Sequence, residues 1–474
     1  MTRNKMPEAP AAERKNNFTE VALGYTEQQA IMEAARCIRC KKPKCIEGCP
    51  VGIDISKFIK EIAEKNFSGA IKTLKEKNNL PGVCGRVCPQ ETQCEIKCVL
   101  GKKGGLSVAI GCLERFAADW EISNAGGEDC PKTETDGKHP PDEKTVADGK
   151  KKVAVVGSGP AGLTCAADLA KAGVSVTIFE ALHEPGGVLR YGIPSFRLPK
   201  NIIEREIQYV KSLGVEIICN AIIGKLRTLD DLFKMGYSSI FIGTGAGLPV
   251  FPGAPGVNLC RIYSANEFLT RINLMGGNDP GKYDTPINTG KNVAVIGGGN
   301  TAMDAARSAL RLGCDVTILY RRTEKEMPAR LAEIRHAKEE GIKFTFLTQP
   351  VEFTGDKNGY VTGVKCLKCT LGEKDSSGRQ SPVPVRGSEF VLPADTVIIA
   401  MGLKPNPVIQ RVTAGLETAG DGSIRVNPDT METSIKKVFA GGDIVGGEGT
   451  VIEAMGMGKR AARSIVSYFF SASA

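Results

Sequence analysis

One local pattern occurs twice in this chain, and it leaves little freedom about the fold. Val153-Ala-Val-Val156 is a short apolar run. Gly157-Ser-Gly159-Pro160-Ala161-Gly162 follows at once, a helical stretch runs to Ala172, and a second apolar run, Ser175–Phe179, ends on Glu180. The order returns with Asn292–Ile296, then Gly297-Gly-Gly299-Asn300-Thr301-Ala302, a helical stretch to Leu312 and a run from Asp315 to Tyr320. Strand, glycine turn, helix and strand make the βαβ unit that cradles a dinucleotide. The glycines let backbone approach a pyrophosphate, which rests on the helix N-terminus. One such turn is a weak signal. Two in this context predict an α/β chain with two Rossmann-like nucleotide-binding domains.

The residue closing each unit discriminates the ligands. Glu180 can accept hydrogen bonds from both ribose hydroxyls of an adenosine and would repel a 2′-phosphate. In the second unit the slot holds Tyr320-Arg321-Arg322, with no acid and two guanidiniums that can pair a 2′-phosphate. The plainer reading of these arginines is a solvated strand end. FAD is expected on the first unit and NADP(H) on the second. Two further stretches suit a flavin. Gly186-Gly187-Val-Leu189-Arg190-Tyr-Gly-Ile-Pro-Ser-Phe-Arg197 is too rich in Gly and Pro for regular structure and suits a flat ring lying over backbone. Val438-Phe-Ala-Gly-Gly442-Asp443 reads as strand, turn and acid, ahead of a helix opening at Thr450-Val451. Asp443 can hold a ribityl chain there, or simply cap a turn. Gly245 and Gly402 fall where the chain is expected to cross between the two units. Hydride exchange between nicotinamide and flavin needs orientation rather than a protein nucleophile. Arg197 is the candidate for stabilising a reduced, anionic flavin; its plainer role is a surface pair with a carboxylate.

Ahead of these units stand two rows of cysteine, Cys37-x2-Cys40-x4-Cys45-x3-Cys49-Pro50 and Cys84-x3-Cys88-Pro89-x4-Cys94-x3-Cys98, which hold half of the 16 Cys. A disulfide scaffold is disfavoured: the first 30 residues lack the apolar core of an export signal, and the remaining cysteines are scattered. A cytoplasmic location is expected. Zinc is the stronger alternative, since Cys-x2-Cys is also a zinc spacing. Cys-x3-Cys-Pro is a ferredoxin habit, and flavin and nucleotide sites downstream need a conductor of single electrons, so two iron–sulfur clusters are expected.

A chain of 474 residues predicts two to three domains. The net charge of +9 is spread without long blocks, which argues against nucleic-acid binding, though a basic surface would suit an acidic partner. No apolar run reaches the ~18 residues of a membrane span. Helices are expected over 26–36, 55–74 and 107–120, with residues 1–20 as a flexible arm. The boundaries read as 1–122 for a helical iron–sulfur domain, 123–150 for a linker with Cys130 as a bystander thiol, 151–286 and 393–474 for a divided FAD domain, and 287–392 for the NADP(H) domain.

Gly157–Gly162, Ile242-Gly-Thr-Gly245-Ala246, Ile399-Ala-Met-Gly402 and Ala440-Gly-Gly-Asp443 together resemble the flavin-disulfide-reductase-like superfamily. With Cys37-Ile-Arg-Cys40, Val83-Cys-Gly-Arg-Val-Cys-Pro-Gln90, Phe196-Arg-Leu-Pro199, Gly299-Asn-Thr-Ala-Met-Asp304 and Tyr320-Arg-Arg322, the chain resembles the glutamate synthase small-subunit family over almost its whole length. Phe18-Thr-Glu-Val-Ala-Leu-Gly-Tyr25 and Gly52-Ile-Asp-Ile55 are most similar to one branch, the large subunits of electron-bifurcating NADH-dependent reduced ferredoxin:NADP oxidoreductases.

The resemblance implies two [4Fe-4S] clusters. One would be held by Cys37, Cys40, Cys45 and Cys98, the other by Cys49, Cys88, Cys94 and Glu114. From the residues alone Glu114 lies off the apolar stripe of its helix and reads as solvent-facing, and Cys84 and Cys112 are nearer to hand as thiols. The resemblance also implies partners: a second flavoprotein and iron–sulfur subunit in a heterodimer together with ferredoxin, or else a glutamate synthase large subunit. An electron-transfer adaptor with a vestigial nucleotide site is a third reading, opposed by the intact turn at 297–302 and by Arg321-Arg322. With no FMN barrel after residue 474, a single-chain dihydropyrimidine-reducing enzyme is not expected.

Overall fold

Each glycine unit lies at the centre of a five-stranded parallel sheet. The structure, a computed structural model, describes residues 2–102, 104–124, 151–279, 281–375, 378–446 and 449–470; the expected linker past 124, with Cys130, lies outside them. The first sheet runs Val438–Ala440, Ser239–Ile242, Lys152–Val156, Ser175–Phe179 and Glu216–Ile218. The second runs Ile262–Ser264, Thr396–Ile399, Asn292–Ile296, Asp315–Leu319 and Lys343–Thr345. Central strands such as Val153 to Val156 are buried throughout, which is why they read as unbroken apolar runs. Four antiparallel strands between Thr348 and Pro393 extend the second domain, and a ribbon of Ala246–Pro249 against Leu403–Pro405 joins the two domains.

The expected boundaries at 286/287 and 392/393 cut through the second sheet. Ile262–Ser264 and Thr396–Ile399 belong to that sheet, so it begins before 287 and ends after 392. Hydrophobic runs announce strands but not which sheet takes them.

In the N-terminal domain Thr26 caps helix Glu27–Ala34 in a reciprocal pair with Gln29. The stretch expected as one helix over 55–74 is two, Ile55–Ala63 and Phe67–Lys75. Lys65 adopts a left-handed conformation (φ 61°) and Asn66 caps the second helix through Gly69 N–H, so the period survives while the axis bends. Phe58, Ile62, Phe67 and Ile71 are buried as the period requires. The helical domain sits on the flavin-side helix Val451–Phe470. A Cβ on Gly456 would come within 2.9 Å of the Pro50 carbonyl oxygen, so the two backbones meet with no side chain between them.

The expected flexible arm is built into the molecule. Arg14, on the short helix Ala11–Arg14, is 3% exposed; its Nε donates to Glu340 Oε1 at 3.0 Å and its Nη2 to Glu339 Oε2 at 2.6 Å. Glu340 also receives Arg307 (2.7 Å) and Arg311 (2.8 Å). Val21 N–H donates to the Phe196 carbonyl at 3.0 Å, and Arg311 lies 4.0 Å from the Phe196 ring centroid. Polar composition suggested mobility, but Glu339 and Glu340, which hold Arg14, lie more than 300 residues along the chain, beyond any local pattern.

Candidate active site and cluster sites

The C-terminal edges of both sheets open on one cavity of about 910 Å³, the place where open α/β sheets take ligands. On the first unit Gly157 (φ 99°) turns so tightly that a Cβ would lie 2.6 Å from the Gly243 carbonyl oxygen, and a Cβ on Gly162 would lie 1.9 Å from the carbonyl oxygen of Gly157. Helix Pro160–Lys171 therefore starts at the cavity wall, formed here by Gly159, Pro160 and Ala161. Gly187 (φ 55°) lays its loop on this turn; a Cβ there would lie 2.8 Å from Gly159 Cα. Glu180 is buried at the cavity edge. Its Oε2 accepts from Ser158 N–H at 2.9 Å and from the Ser158 hydroxyl, and its Oε1 accepts from Leu182 N–H at 2.9 Å. Gly245, Gly402, Gly442, Asp443, Thr450 and Val451 line the same space. Asp443 Oδ1 accepts from Gly449 N–H at 3.1 Å, and Thr450 caps helix Val451–Phe470 with Glu453.

The second unit repeats the cradle. A Cβ on Gly297 (φ 147°) would lie 2.2 Å from the Ala400 carbonyl oxygen, and Gly299, Asn300 and Thr301 line the cavity. Gly162, Ala302, Leu189 and Arg190 do not. The first two are packing residues of the turns, Leu189 is 1% exposed, and Arg190 turns away to Glu204 at 2.7 Å and the Pro185 carbonyl at 3.1 Å.

Two arginines differ from expectation. Both line the cavity, but Arg321 is exposed, whereas Arg322 is buried, with Nη2 on Asp375 Oδ2 at 2.6 Å and Nε on the Gln380 carbonyl at 2.7 Å. Its charge holds the hairpin that follows Val361–Lys374. Arg379, on that hairpin, lines the cavity as well; nothing local in the sequence marks it. Arg197 also reaches the cavity, but not as an unpaired cation for a reduced flavin. It binds Asp304 at 2.6 Å and Glu333 at 3.3 Å. Burial opposes its charge, and the two carboxylates more than restore it, raising the guanidinium above its usual range. Asp304 opens into the cavity from helix Asn300–Arg311, so Arg197 ties the flavin-side loop to the nucleotide domain. The motif ending at Asp304 was visible in the sequence; its partner was not.

The cysteines gather in two groups. Cys37, Cys40, Cys45 and Cys98 line one small cavity with Ile55 and Ile59. Cys49 and Cys94 each lie close enough to Cys88 and Glu114 for their charges to interact. Glu114 is buried, not solvent-facing as its helix position suggested: burial pushes its carboxyl up to about 8, and Asn78 Nδ2 donates to its Oε1 at 2.7 Å. Cys112 faces Tyr25, Glu95 and Arg3 instead. Cys84 is buried beside Cys88, with its sulfur 3.7 Å from Asn78 Oδ1 and 3.5 Å from Met455 Sδ on the flavin-side helix.

Among the described residues no three cysteine sulfurs lie within 4.8 Å of one another, whereas four tetrahedral zinc ligands at ~2.3 Å require sulfurs about 4 Å apart. Thiols grouped around a wider space fit an iron–sulfur cube, and a buried carboxyl that resists ionising alone becomes a ligand where a cation sits. The second group abuts the large cavity: Val87 and Pro89, on either side of Cys88, line it, and Gln93 Nε2 donates to Thr450 Oγ1 at 3.3 Å.

Comparison with known proteins agrees with this geometry. A family model described as dihydropyrimidine dehydrogenase domain II, 4Fe-4S cluster, matches residues 14–126, and the pyridine nucleotide-disulphide oxidoreductase model matches residues 151–458. The chain belongs to the pyridine nucleotide-disulphide oxidoreductases. Within that family it is 36% identical over 468 residues to the glutamate synthase [NADPH] small chain of Escherichia coli (strain K12), covering 98% of this chain and 96% of the relative. It is 37% identical over 486 residues to the NADPH-Fe(3+) oxidoreductase subunit beta of Geobacter sulfurreducens (strain DL-1 / KN400), covering 96% of this chain and 68% of the relative. Mycobacterium tuberculosis FprA in complex with NADPH shares the fold, with a TM-score of 0.57 at 20% identity over 68% of this chain and 85% of that one. The chain is an NADP-dependent oxidoreductase subunit of this family, with FAD, NADP(H) and [4Fe-4S] clusters as its cofactors. Among the described residues no helix is long and apolar enough to cross a membrane.

Proposed function

We propose that this chain is the bifurcating subunit of an NADH-dependent ferredoxin:NADP oxidoreductase, working with a second flavoprotein and iron–sulfur subunit and with ferredoxin. The observation that carries the reading is the shared cavity. Both glycine cradles open on it, and the residues flanking Cys88 close one of its walls. In such a site FAD exchanges hydride with the nicotinamide, and clusters carry electrons singly. The protein supplies placement. Glu180 and Asp443 would orient the flavin nucleotide, Arg321 the 2′-phosphate, and the Arg197–Asp304 pair the angle between the two domains. Cys37, Cys40, Cys45 and Cys98 would hold one cluster; Cys49, Cys88, Cys94 and Glu114 would hold the other beside the cavity. The apolar side chains of Val87 and Pro89 on that wall would help to exclude water.

A second reading, the electron-input subunit of an NADPH-dependent glutamate synthase, is favoured by the end-to-end similarity to small chains of that enzyme. Copurification from the native host followed by assay separates the two. Bifurcation requires NADPH oxidation that needs ferredoxin and NAD⁺ together and stalls with either alone. NADPH oxidation that needs glutamine and 2-oxoglutarate, with a glutamate synthase large chain copurifying, replaces the first reading with the second.

A further inference from the structure

Arg330 belongs to the second nucleotide domain, yet its side chain is spent on the cluster domain. Its backbone N–H donates to Asn300 Oδ1 at 3.0 Å, at the turn where helix Asn300–Arg311 begins. The residues before it lie on the same turn: Ala329 N–H donates to the Gly298 carbonyl at 3.2 Å, and Pro328 lines the cavity. The guanidinium then crosses the domain boundary. Nη1 donates to the Arg86 carbonyl at 3.0 Å, Nη2 to Gln90 Oε1 at 3.0 Å, and Nε lies 3.5 Å from Glu91 Oε1. Arg86 and Gln90 bracket Cys88. Gln90 is itself fixed, its Nε2 donating to the Cys84 carbonyl at 3.3 Å, against a glycine at 111 where any Cβ would strike it at 2.2 Å. One residue thus joins the turn that would receive a pyrophosphate to the loop carrying Cys88, by a route separate from the flavin side of the cavity.

We propose that Arg330 is a positioning residue through which a nucleotide on the 297–302 turn shifts the reduction potential of the second cluster. The proposal rests on the assignment of Cys49, Cys88, Cys94 and Glu114 as that cluster's ligands. A guanidinium near the cluster favours its reduced, more negative state, because net charge and hydrogen bonding tune such potentials. Phosphates arriving at Asn300 offset that charge and draw on the backbone end of the same residue, so bound nucleotide lowers the potential.

The test is a redox titration of the holoenzyme followed by EPR, with and without saturating tetrahydro-NADP, which keeps both phosphate sites and transfers no hydride. Wild type, Arg330→Gln and Arg330→Lys are compared, with the analogue's Kd measured for each. The wild-type potential is expected to fall on binding. Arg330→Gln should start lower and show no nucleotide shift. Arg330→Lys should start near wild type, because the charge remains, and lose most of the shift, because one ammonium cannot span the Arg86 carbonyl and Gln90. No shift in wild type, or a full shift in Arg330→Gln, overturns the proposal. An error in the ligand assignment shows separately: Cys49→Ser and Glu114→Ala would then leave the titrated signal unchanged.

Discussion

Nucleotide choice should turn on one arginine, not two. Arg322 is buried and satisfied by Asp375 and the Gln380 carbonyl, whereas Arg321 stands exposed at the end of strand Asp315–Leu319, where a 2′-phosphate would arrive. A charge-assisted guanidinium–phosphate pair contributes about 1.5–3 kcal/mol. At about 1.4 kcal/mol per decade, Arg321→Ala should raise the NADPH KM roughly 10- to 150-fold. NADH has no 2′-phosphate, and its constants should hold. Arg322→Ala should act differently: it removes the ion pair with Asp375 and loosens the hairpin, so both nucleotides weaken together and the NADPH preference persists. Anaerobic stopped-flow bleaching of the flavin over a range of each nucleotide measures the constants for wild type and both variants. The reasoning fails if Arg321→Ala keeps the wild-type ratio of NADPH to NADH rates, or if Arg322→Ala alone abolishes it.

Glu114→Ala should cost one of the two clusters, read as halved iron content and loss of one EPR signal, while Cys84→Ser keeps all the iron; the opposite pattern would move the ligand to Cys84. Acid extraction should yield one FAD per chain and no FMN, because one unit alone carries the acid at its strand end. Glu340→Gln removes the anion shared by Arg14, Arg307 and Arg311 and should cost about 3–5 kcal/mol, seen as earlier flavin release on heating. Burial works against the Glu340 carboxyl, and its arginines hold it down at about 2, below its unfolded value of about 4.3. The stability it contributes is therefore full above about pH 4.3 and is lost as pH falls toward 2. The gap between wild type and Glu340→Gln in urea melts should be constant at neutral pH and shrink over that acid window.

The legible parts of this molecule were those written in short periods. Strand, turn and helix follow one another within about thirty residues, so both nucleotide units could be read directly, as could the Thr26 cap. The grouping of Cys37, Cys40 and Cys45 follows from spacing. Cys98 joins them across half the domain and needed a resemblance to place it. Glu114 illustrates the limit: its helix is amphipathic on average, but helix Pro81–Val87 covers the face that would otherwise meet water, and Asn78 supplies the hydrogen bond that makes burial tolerable. Arg322, Arg197 and Arg14 share one cause. Arg322 and Arg197 were read as cations awaiting a ligand, Arg14 lay in a stretch read as a loose arm, and each is neutralised by carboxylates from 53 to more than 300 residues away in sequence.

Those distant ion pairs also bear on how the two nucleotide sites stay in register. Hydride exchange is sensitive to the placement of the two rings, and a nucleotide domain joined only by the ribbon Ala246–Pro249 and Leu403–Pro405 would be free to swing. Three ties restrain it: Arg197 to Asp304 at the cavity, Arg14 to Glu340 under the N-terminal arm, and Arg330 to Arg86 and Gln90 at the cluster domain. They tie the domain to three different parts of the chain, the flavin-side loop, the N-terminal arm and the Cys88 loop, so a rotation that spares one strains another. A surface ion pair would contribute little to such restraint, but the side chains of Arg14, Arg197 and Glu340 are at most 6% exposed, where breaking a pair strands a charge. The angle between the sites is therefore set largely before either ligand binds, and the arm that composition marked as loose is part of what sets it.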